Sequence, residues 1–154
     1  MWLLRVPKSG TAFVITGLIF ICAGCSSEGN DIEVVSNRMR SDAISVAEAV
    51  SEVAEVGEVT HLSTCRNDGS GSIPPTTKVD LSLRDGASVF DAGEAAGAAL
   101  ADLGYETDRG SGNVLLVARR ELDAQWGGEI RLYESSSSKS DLVLGTSIIP
   151  TITC

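Results

Sequence analysis

The chain has 154 residues and a formal net charge of −9 at pH 7, and it is 43% hydrophobic but only 5% aromatic. This length predicts a single domain whose core is aliphatic. Of the 12 basic residues only Arg5 and Lys8 precede residue 25, whereas all 21 acidic residues follow residue 24, so the rest of the chain carries 10 − 21 = −11. That charge repels nucleic acid, so no nucleic-acid partner is expected.

The amino terminus has the pattern of an export signal. Arg5 and Lys8 precede an uncharged apolar run, residues 12–21, which ends near the small residues Ala23 and Gly24. A membrane-spanning helix needs about 20 apolar residues, and polar residues follow this run too soon. The pattern therefore predicts a cleaved signal peptide, with anchoring by an uncleaved helix as the alternative.

The residues Cys22-Ala23-Gly24-Cys25 resemble the lipobox of bacterial lipoproteins. The resemblance implies that the Cys25 thiol receives a diacylglyceryl group, that the chain is cut before Cys25, and that the acylated protein (palmitate being one such acyl group) is held at the extracytoplasmic face of the cell membrane. Cys22 departs from the family, which usually has Leu or another aliphatic residue there. Cys22 itself is a poorer lipidation site because Ile21 would then occupy a position that requires a small residue.

Three segments follow from this interpretation. Residues 1–24 are the signal peptide, residues 25–31 are a lipidated polar tether, and residues 32–154 form a single α+β domain. The CxxC spacing of Cys22 and Cys25 also fits a redox or metal motif, but it lies at the end of an export helix with no folded framework to tune a thiolate.

The remaining cysteines, Cys65 and Cys154, are an even number in a chain directed to an oxidising exterior, so we expect them to pair. They are 89 positions apart, and a loop of that length contributes on the order of 4 kcal/mol in the chain-entropy model. Two free thiols are the alternative.

The first half of the domain reads as one helix and two strands. Apolar residues recur at helical spacing between Ser41 and Gly57, which predicts a helix that is capped by Ser41 and ends at Gly57. An earlier start near Asp31 is the alternative. Residues 59–65 predict a short strand, residues 67–75 a loop, and the alternating residues 77–83 a half-buried strand.

The second half predicts one helix and three strands. Ser88 and Asp91 make a capping pair before a helix that ends at Gly104. Three apolar or alternating runs then predict strands linked by hairpins, at residues 114–118, 130–133 and 142–149.

The order helix-strand-strand-helix-strand-strand-strand lacks regular βα alternation. It therefore favours the α+β class, with about five mostly antiparallel strands and two helices packed on one face. Aliphatic runs predict that the third and fifth strands are central. A mid-chain cysteine, Leu103-Gly104-Tyr105 and a terminal cysteine make the layout similar to small lipoproteins of actinobacteria, a resemblance that implies a cell-envelope protein but no activity.

Candidate catalytic residues are few. His61 is the only histidine, so a hydrolase site would have to be built around it. No zinc site is expected from one histidine and two paired cysteines, and Asp68 and Asp108, in Gly-rich loops, lack EF-hand spacing. No cofactor motif is present, since the Gly-rich loops lack a phosphate-binding context.

Trp126 and Tyr133 could form a sugar-stacking platform, although packing over the hairpin and the sheet is the simpler interpretation. The residues thus predict a non-enzymatic envelope lipoprotein that binds an envelope protein or another ligand. The alternatives are a carrier of a small apolar ligand, an inhibitor of a basic secreted enzyme, and a hydrolase that uses His61.

Overall fold

The computed structural model of the chain describes residues 28–150 apart from Asp68, Ser70 and Lys139, and it describes residues 28–30 and Ser72 by their backbone alone. The helices are α1 (Glu28–Ala49) and α2 (Val89–Asp102), and the strands are β1 (Ala54–Leu62), β2 (Arg66–Asn67), β3 (Ser72–Ile73), β4 (Thr76–Leu83), β5 (Glu106–Arg109), β6 (Val114–Glu121), β7 (Gly127–Glu134) and β8 (Asp141–Ile149). The expected α+β class is confirmed.

Six strands form one antiparallel sheet in the order β1-β4-β8-β7-β6-β5, and β2 and β3 form a separate hairpin. Helix α2 carries the chain from β4 to the far edge of the sheet, where β5 begins. Strands β5 to β8 then return as a meander, so that β8 pairs with β4 and completes the sheet.

Both helices pack on the same face of this sheet. Alternate residues of the strands point to that face and join the two helices in one buried cluster: Val79 and Leu81 of β4, Ala118 of β6, Ile130 and Leu132 of β7, and Leu142 and Leu144 of β8. The helices contribute Met39, Ala43, Val46 and Ala47 from α1 and Ala92, Ala96 and Leu100 from α2. The predicted placement of both helices on one face is confirmed.

The boundaries of α1 differ from the expectation. The helix starts at Glu28, inside the segment 25–31 predicted as a tether, and it ends at Ala49 rather than near Gly57. Val50 to Val53 form a turn, and Gly57 lies within β1, beside a bulge where the pairing with β4 is interrupted. The helical spacing of Val50, Val53 and Ala54 was therefore misleading, because these apolar residues are buried by a turn and a strand.

Helix α2 matches its prediction closely. The Ser88 hydroxyl accepts a hydrogen bond from the Asp91 backbone N–H, and the Asp91 carboxylate accepts one from the Ser88 backbone N–H at 2.9 Å. The adjacent Ser88 hydroxyl also holds the pKa of the Asp91 carboxyl below its ordinary value. Gly104 follows the helix with a φ of +82°, a left-handed conformation that favours glycine.

The strand predictions were incomplete. The alternation of β4 is confirmed, but the predicted loop at 67–75 contains the β2–β3 hairpin, and β5 was missed. Strand β5 lies at the edge of the sheet and pairs only with β6. All four of its residues are exposed, so its sequence carries no apolar pattern that would predict a strand. The fifth predicted strand, β8, is central as expected, whereas the third, β6, lies next to the edge strand and β7 takes the other central position.

None of the helices in the described part of the chain is long and apolar enough to cross a membrane.

Candidate functional site

The sheet face turned away from the helices, which we call the open face, carries the other alternating set of side chains. The contacts of both helices with the sheet lie on the opposite face. Its central strands contribute Lys78 and Asp80 from β4, Val143, Gly145 and Ser147 from β8, Glu129, Arg131 and Tyr133 from β7, and Val117 and Arg119 from β6. The open face is therefore polar and charged where the opposite face is aliphatic.

The strand register aligns several of these residues in one row across the sheet. Lys78 and Arg131 flank Gly145 as its partners on the two neighbouring strands, and Arg131 is in turn opposite Val117, which is opposite Asp108 of β5. The Tyr133 ring lies over Gly145, since a Cβ there would be 3.3 Å from Tyr133 Cε1. The interpretation of Tyr133 as a residue that covers the sheet is confirmed.

Glu129 is the most unusual residue of the open face, because it is a charged side chain that is only 5% exposed. Arg119 Nε donates to its Oε2 at 2.7 Å, and Arg131 Nη2 donates to its Oε1 at 2.6 Å. One buried carboxylate therefore holds two guanidinium groups, each of which belongs to a side chain that is about half exposed (53% and 50%). Such charge-assisted bonds fix the orientation of both arginines.

A surface pocket of about 290 Å³ lies beside this cluster, and we call it the arginine pocket. Its lining includes Arg109, Arg119 and Arg131, together with Asp108 and Ser111. Asp108 lies 3.8 Å from Arg119 Nη1 and its side chain is 78% exposed, so this ion pair is loose. Arg109 is opposite Leu116 in the register, and Leu116 faces α2, so the Arg109 side chain points to the helix face. In a chain with a net charge of −9, the pocket brings together the guanidinium groups of Arg119 and Arg131.

The next charged pair on the open face is of the ordinary surface kind. Lys78 Nζ lies 3.0 Å from Asp80 Oδ1, and both side chains are about half exposed. The hydrogen bond to Asp80 and the charge of that carboxylate raise the pKa of Lys78. Each group of this pair has one partner, whereas the Glu129 carboxylate is shared by two arginines.

A second polar cluster is buried between the helices and the sheet. Tyr105 donates to Asp42 Oδ2 at 2.8 Å, Arg120 Nη2 lies 3.0 Å from the same oxygen, and the Arg120 guanidinium carbon is 4.7 Å from the Tyr105 ring centre. Arg120 Nη1 also donates to the carbonyl of Leu103, at the end of α2. Burial, reinforced by the bond to Asp42, raises the pKa of Tyr105, so the phenol stays protonated. The cluster ties α1, α2 and β6 together.

His61 also links separate elements of the fold through hydrogen bonds. Its Nδ1 lies 2.9 Å from Thr77 Oγ1, and its Nε2 lies 3.2 Å from Asn37 Oδ1, which is a bridge from β1 to β4 and α1. Burial, with a smaller effect of the Arg40 charge, lowers the pKa of His61. Both ring nitrogens have neutral partners and neither faces a carboxylate. The one hydroxyl beside the ring, that of Thr77, is 0% exposed and closed to a substrate, so this geometry does not support the hydrolase alternative.

The other residues considered from sequence are not brought together. Trp126 precedes β7 and Tyr133 lies seven residues further along, roughly 23 Å in an extended strand, so the two do not form one stacking platform. Asp68 lies outside the described residues, and Asp108 takes part in the arginine pocket. The described side chains contain no group of three or more His, Cys, Asp or Glu that could hold a metal ion.

Of the four cysteines, only Cys65 lies in the described part of the chain, and it is disulfide-bonded. Cys22, Cys25 and Cys154 lie outside the described residues, as do the signal peptide and the start of the tether. The lipidation of Cys25 and the choice of Cys154 as the partner of Cys65 therefore stay predictions.

A shallow groove of about 330 Å³ runs between α2 and strands β5 and β6. Leu115 and Leu116 lie in it, and Phe90, which is 59% exposed, stands at its rim. Arg109 and Glu94 also line it. It offers apolar surface next to charged groups.

The arginine pocket could not be located from sequence, because Arg119 and Arg131 come from two strands that only the sheet register aligns. One signal was available: Glu129 and Arg131 alternate with the aliphatic residues Ile130 and Leu132, which places two opposite charges on the same side of one strand. The burial of Glu129 was not foreseeable.

Comparison of the chain with protein-family models, with curated proteins and with solved structures finds no match.

Proposed function

We propose that this chain is an exported lipoprotein, anchored through an acylated Cys25 at the extracytoplasmic face of the cell membrane, and that its domain is a non-enzymatic binding module. The N-terminal pattern that ends at Cys25 supports the anchor. The open face, which has an ordered and partly buried charge cluster, is the observation that carries the binding role.

The position of α1 bears on how such an anchor would hold the domain. Helix α1 begins at Glu28, three residues after Cys25, and three residues span at most about 10 Å. Of the α1 residues whose side chains are described, none of residues 31–34 is buried, Val34 is 67% exposed, and the first buried one is Val35. A short helical stalk, rather than a long flexible linker, would therefore separate the acyl chains from the domain.

Metabolic labelling with a palmitate analogue tests the anchor. The wild-type chain and Cys22→Ala, the matched control, are expected to carry the label and to begin at residue 25 by mass. Cys25→Ala is expected to carry no label and to keep residues 1–24. A labelled Cys25→Ala chain would contradict the proposal, and so would a wild-type chain that keeps its first 24 residues.

The binding role is tested with a photo-cross-linking residue on the open face. Ser147 is exposed there, next to Glu129 in the register, and Ala98 is an exposed control position on α2. In cells, a discrete cross-linked product is expected from position 147 and not from position 98. Equal products from both positions, or none from position 147, would argue against the open face as the binding surface.

The groove beside α2 favours a second candidate function, carriage of a small apolar ligand. Its exposed Phe90 and the adjacent Leu115 and Leu116 would contact such a ligand. Native mass spectrometry of protein isolated from its own host should then show a bound molecule that is lost in Phe90→Asp. An identical mass for the native and the denatured domain would reject this function.

A further inference from the structure

We propose that the arginine pocket binds the carboxylate or phosphate group of a small anionic ligand, through the guanidinium groups of Arg119 and Arg131. This inference rests on the proposed binding role and names the ligand chemistry of the open face. Both arginines are fixed by the buried Glu129, and both remain about half exposed.

The first argument is the local charge. Glu129 neutralises one of the two guanidinium charges that it holds. Asp108, which also lines the pocket, lies 3.8 Å from Arg119 and is 78% exposed, so it compensates the second guanidinium charge only weakly. An oxyanion bound by the two arginines would therefore meet a weakly compensated positive charge, although the whole chain is strongly acidic.

The second argument is the supply of hydrogen-bond donors. A guanidinium group carries five N–H donors, and the bond to Glu129 uses one of them in each arginine. The contact between Arg119 and Asp108, at 3.8 Å, is too long for a hydrogen bond. Donors on two fixed, neighbouring guanidinium groups match the paired oxygens of a carboxylate or phosphate group.

The third argument is preorganisation. An arginine on a surface normally loses side-chain entropy when it binds a ligand, and that loss weakens binding. Here Glu129, which is 5% exposed, already holds both side chains against the sheet. The pocket of about 290 Å³ is large enough for the anionic group of a small molecule and is open to solvent on one side.

Isothermal titration of the full-length protein in neutral detergent tests the proposal, with inorganic phosphate and succinate as probes. We expect a Kd on the order of 1 mM or below for at least one probe, rising with added NaCl because the attraction is electrostatic. Arg119→Gln and Arg131→Gln should each weaken binding by about tenfold or more. Lys78→Gln is the matched control, since Lys78 is a half-exposed cation on the same face, paired with Asp80.

Thermal unfolding of the three variants, followed by circular dichroism, shows whether each variant is folded at the temperature of the titration. The inference is overturned if neither probe binds at concentrations up to about 20 mM, far above the expected Kd, and phosphatidylglycerol vesicles do not bind either. It is also overturned if Lys78→Gln weakens binding as much as the two arginine variants.

The same proteins mixed with phosphatidylcholine vesicles, with and without phosphatidylglycerol, distinguish the source of the anion. Arginine-dependent binding to phosphatidylglycerol alone assigns the site to a lipid headgroup, whereas binding to the free probes assigns it to a soluble ligand. A cross-link from position 147 in cells without any anion binding would overturn this inference and leave the proposed binding role intact.

Discussion

Met39 of α1 packs directly onto Gly128 of β7. A Cβ built on Gly128 would collide with Met39 Sδ and lie 3.0 Å from Leu122 Cδ1. Met39 is 1% exposed, so its side chain has little room to move. The absence of a side chain at Gly128 therefore sets how closely α1 approaches the sheet.

Gly128→Ala is accordingly expected to destabilise the domain by about 1–3 kcal/mol, the usual cost of overpacking a core. Gly127→Ala is the matched control in the same strand, because a Cβ there meets its nearest atom, the Arg120 carbonyl oxygen, at 3.4 Å. Urea unfolding of both variants measures the difference. Equal stability of the two variants would show that α1 does not depend on this contact.

The bond from Tyr105 to Asp42 supports a second prediction. Tyr105→Phe removes a donor from a buried carboxylate that keeps Arg120 as its other partner, and it should lower the free energy of unfolding by about 1–2 kcal/mol. Tyr133→Phe, on the open face, should change it by less than about 0.5 kcal/mol. Thermal and urea unfolding of the two variants check this, and an equal loss in both would contradict it.

His61 predicts a pH dependence of stability. Burial lowers its pKa in the folded protein below the 6.5 of an unperturbed histidine. At pH values between the His61 pKa of the folded protein and that of the unfolded chain, the unfolded chain binds more protons than the folded protein. The free energy of unfolding therefore falls as the pH is lowered through this range, and His61 has no effect on it above about pH 7.

His61→Gln removes this titration. Urea unfolding at about pH 5.5 and about pH 7.5 should therefore show a larger acid-induced loss of stability in the wild type than in the variant. Equal losses in the two proteins would mean that His61 titrates alike in the folded and unfolded states.

The disulfide prediction concerns Cys65 and Cys154. Peptide mapping without reduction should show these two residues joined in one peptide. Cys154→Ser should destabilise the domain by at most on the order of 4 kcal/mol, because engineered disulfides often contribute less than the chain-entropy model gives. A peptide that joins Cys65 to Cys25 would contradict both the pairing and the lipidation of Cys25, and one that joins Cys65 to Cys22 would contradict the pairing and the removal of residues 1–24.

Local sequence patterns were sufficient to predict a helix or strand where residues close together in the chain specify it. The alternation of β4 and the capping pair Ser88 and Asp91 both predicted the observed elements, because side-chain period and helix capping depend on residues close together in the chain. The export and lipidation pattern around Cys25 is equally local, and it is the sequence that supports it.

Only the tertiary structure decided the features that depend on distant residues. The polar strand β5 exists because β6 pairs with it, and Asp42 is paired with Tyr105 across 63 positions. The arginine pocket likewise needs the register of β6 and β7 to bring Arg119, Arg131 and Glu129 to one place. Strand register is a non-local property of the packed sheet, so the period of any single segment cannot specify it.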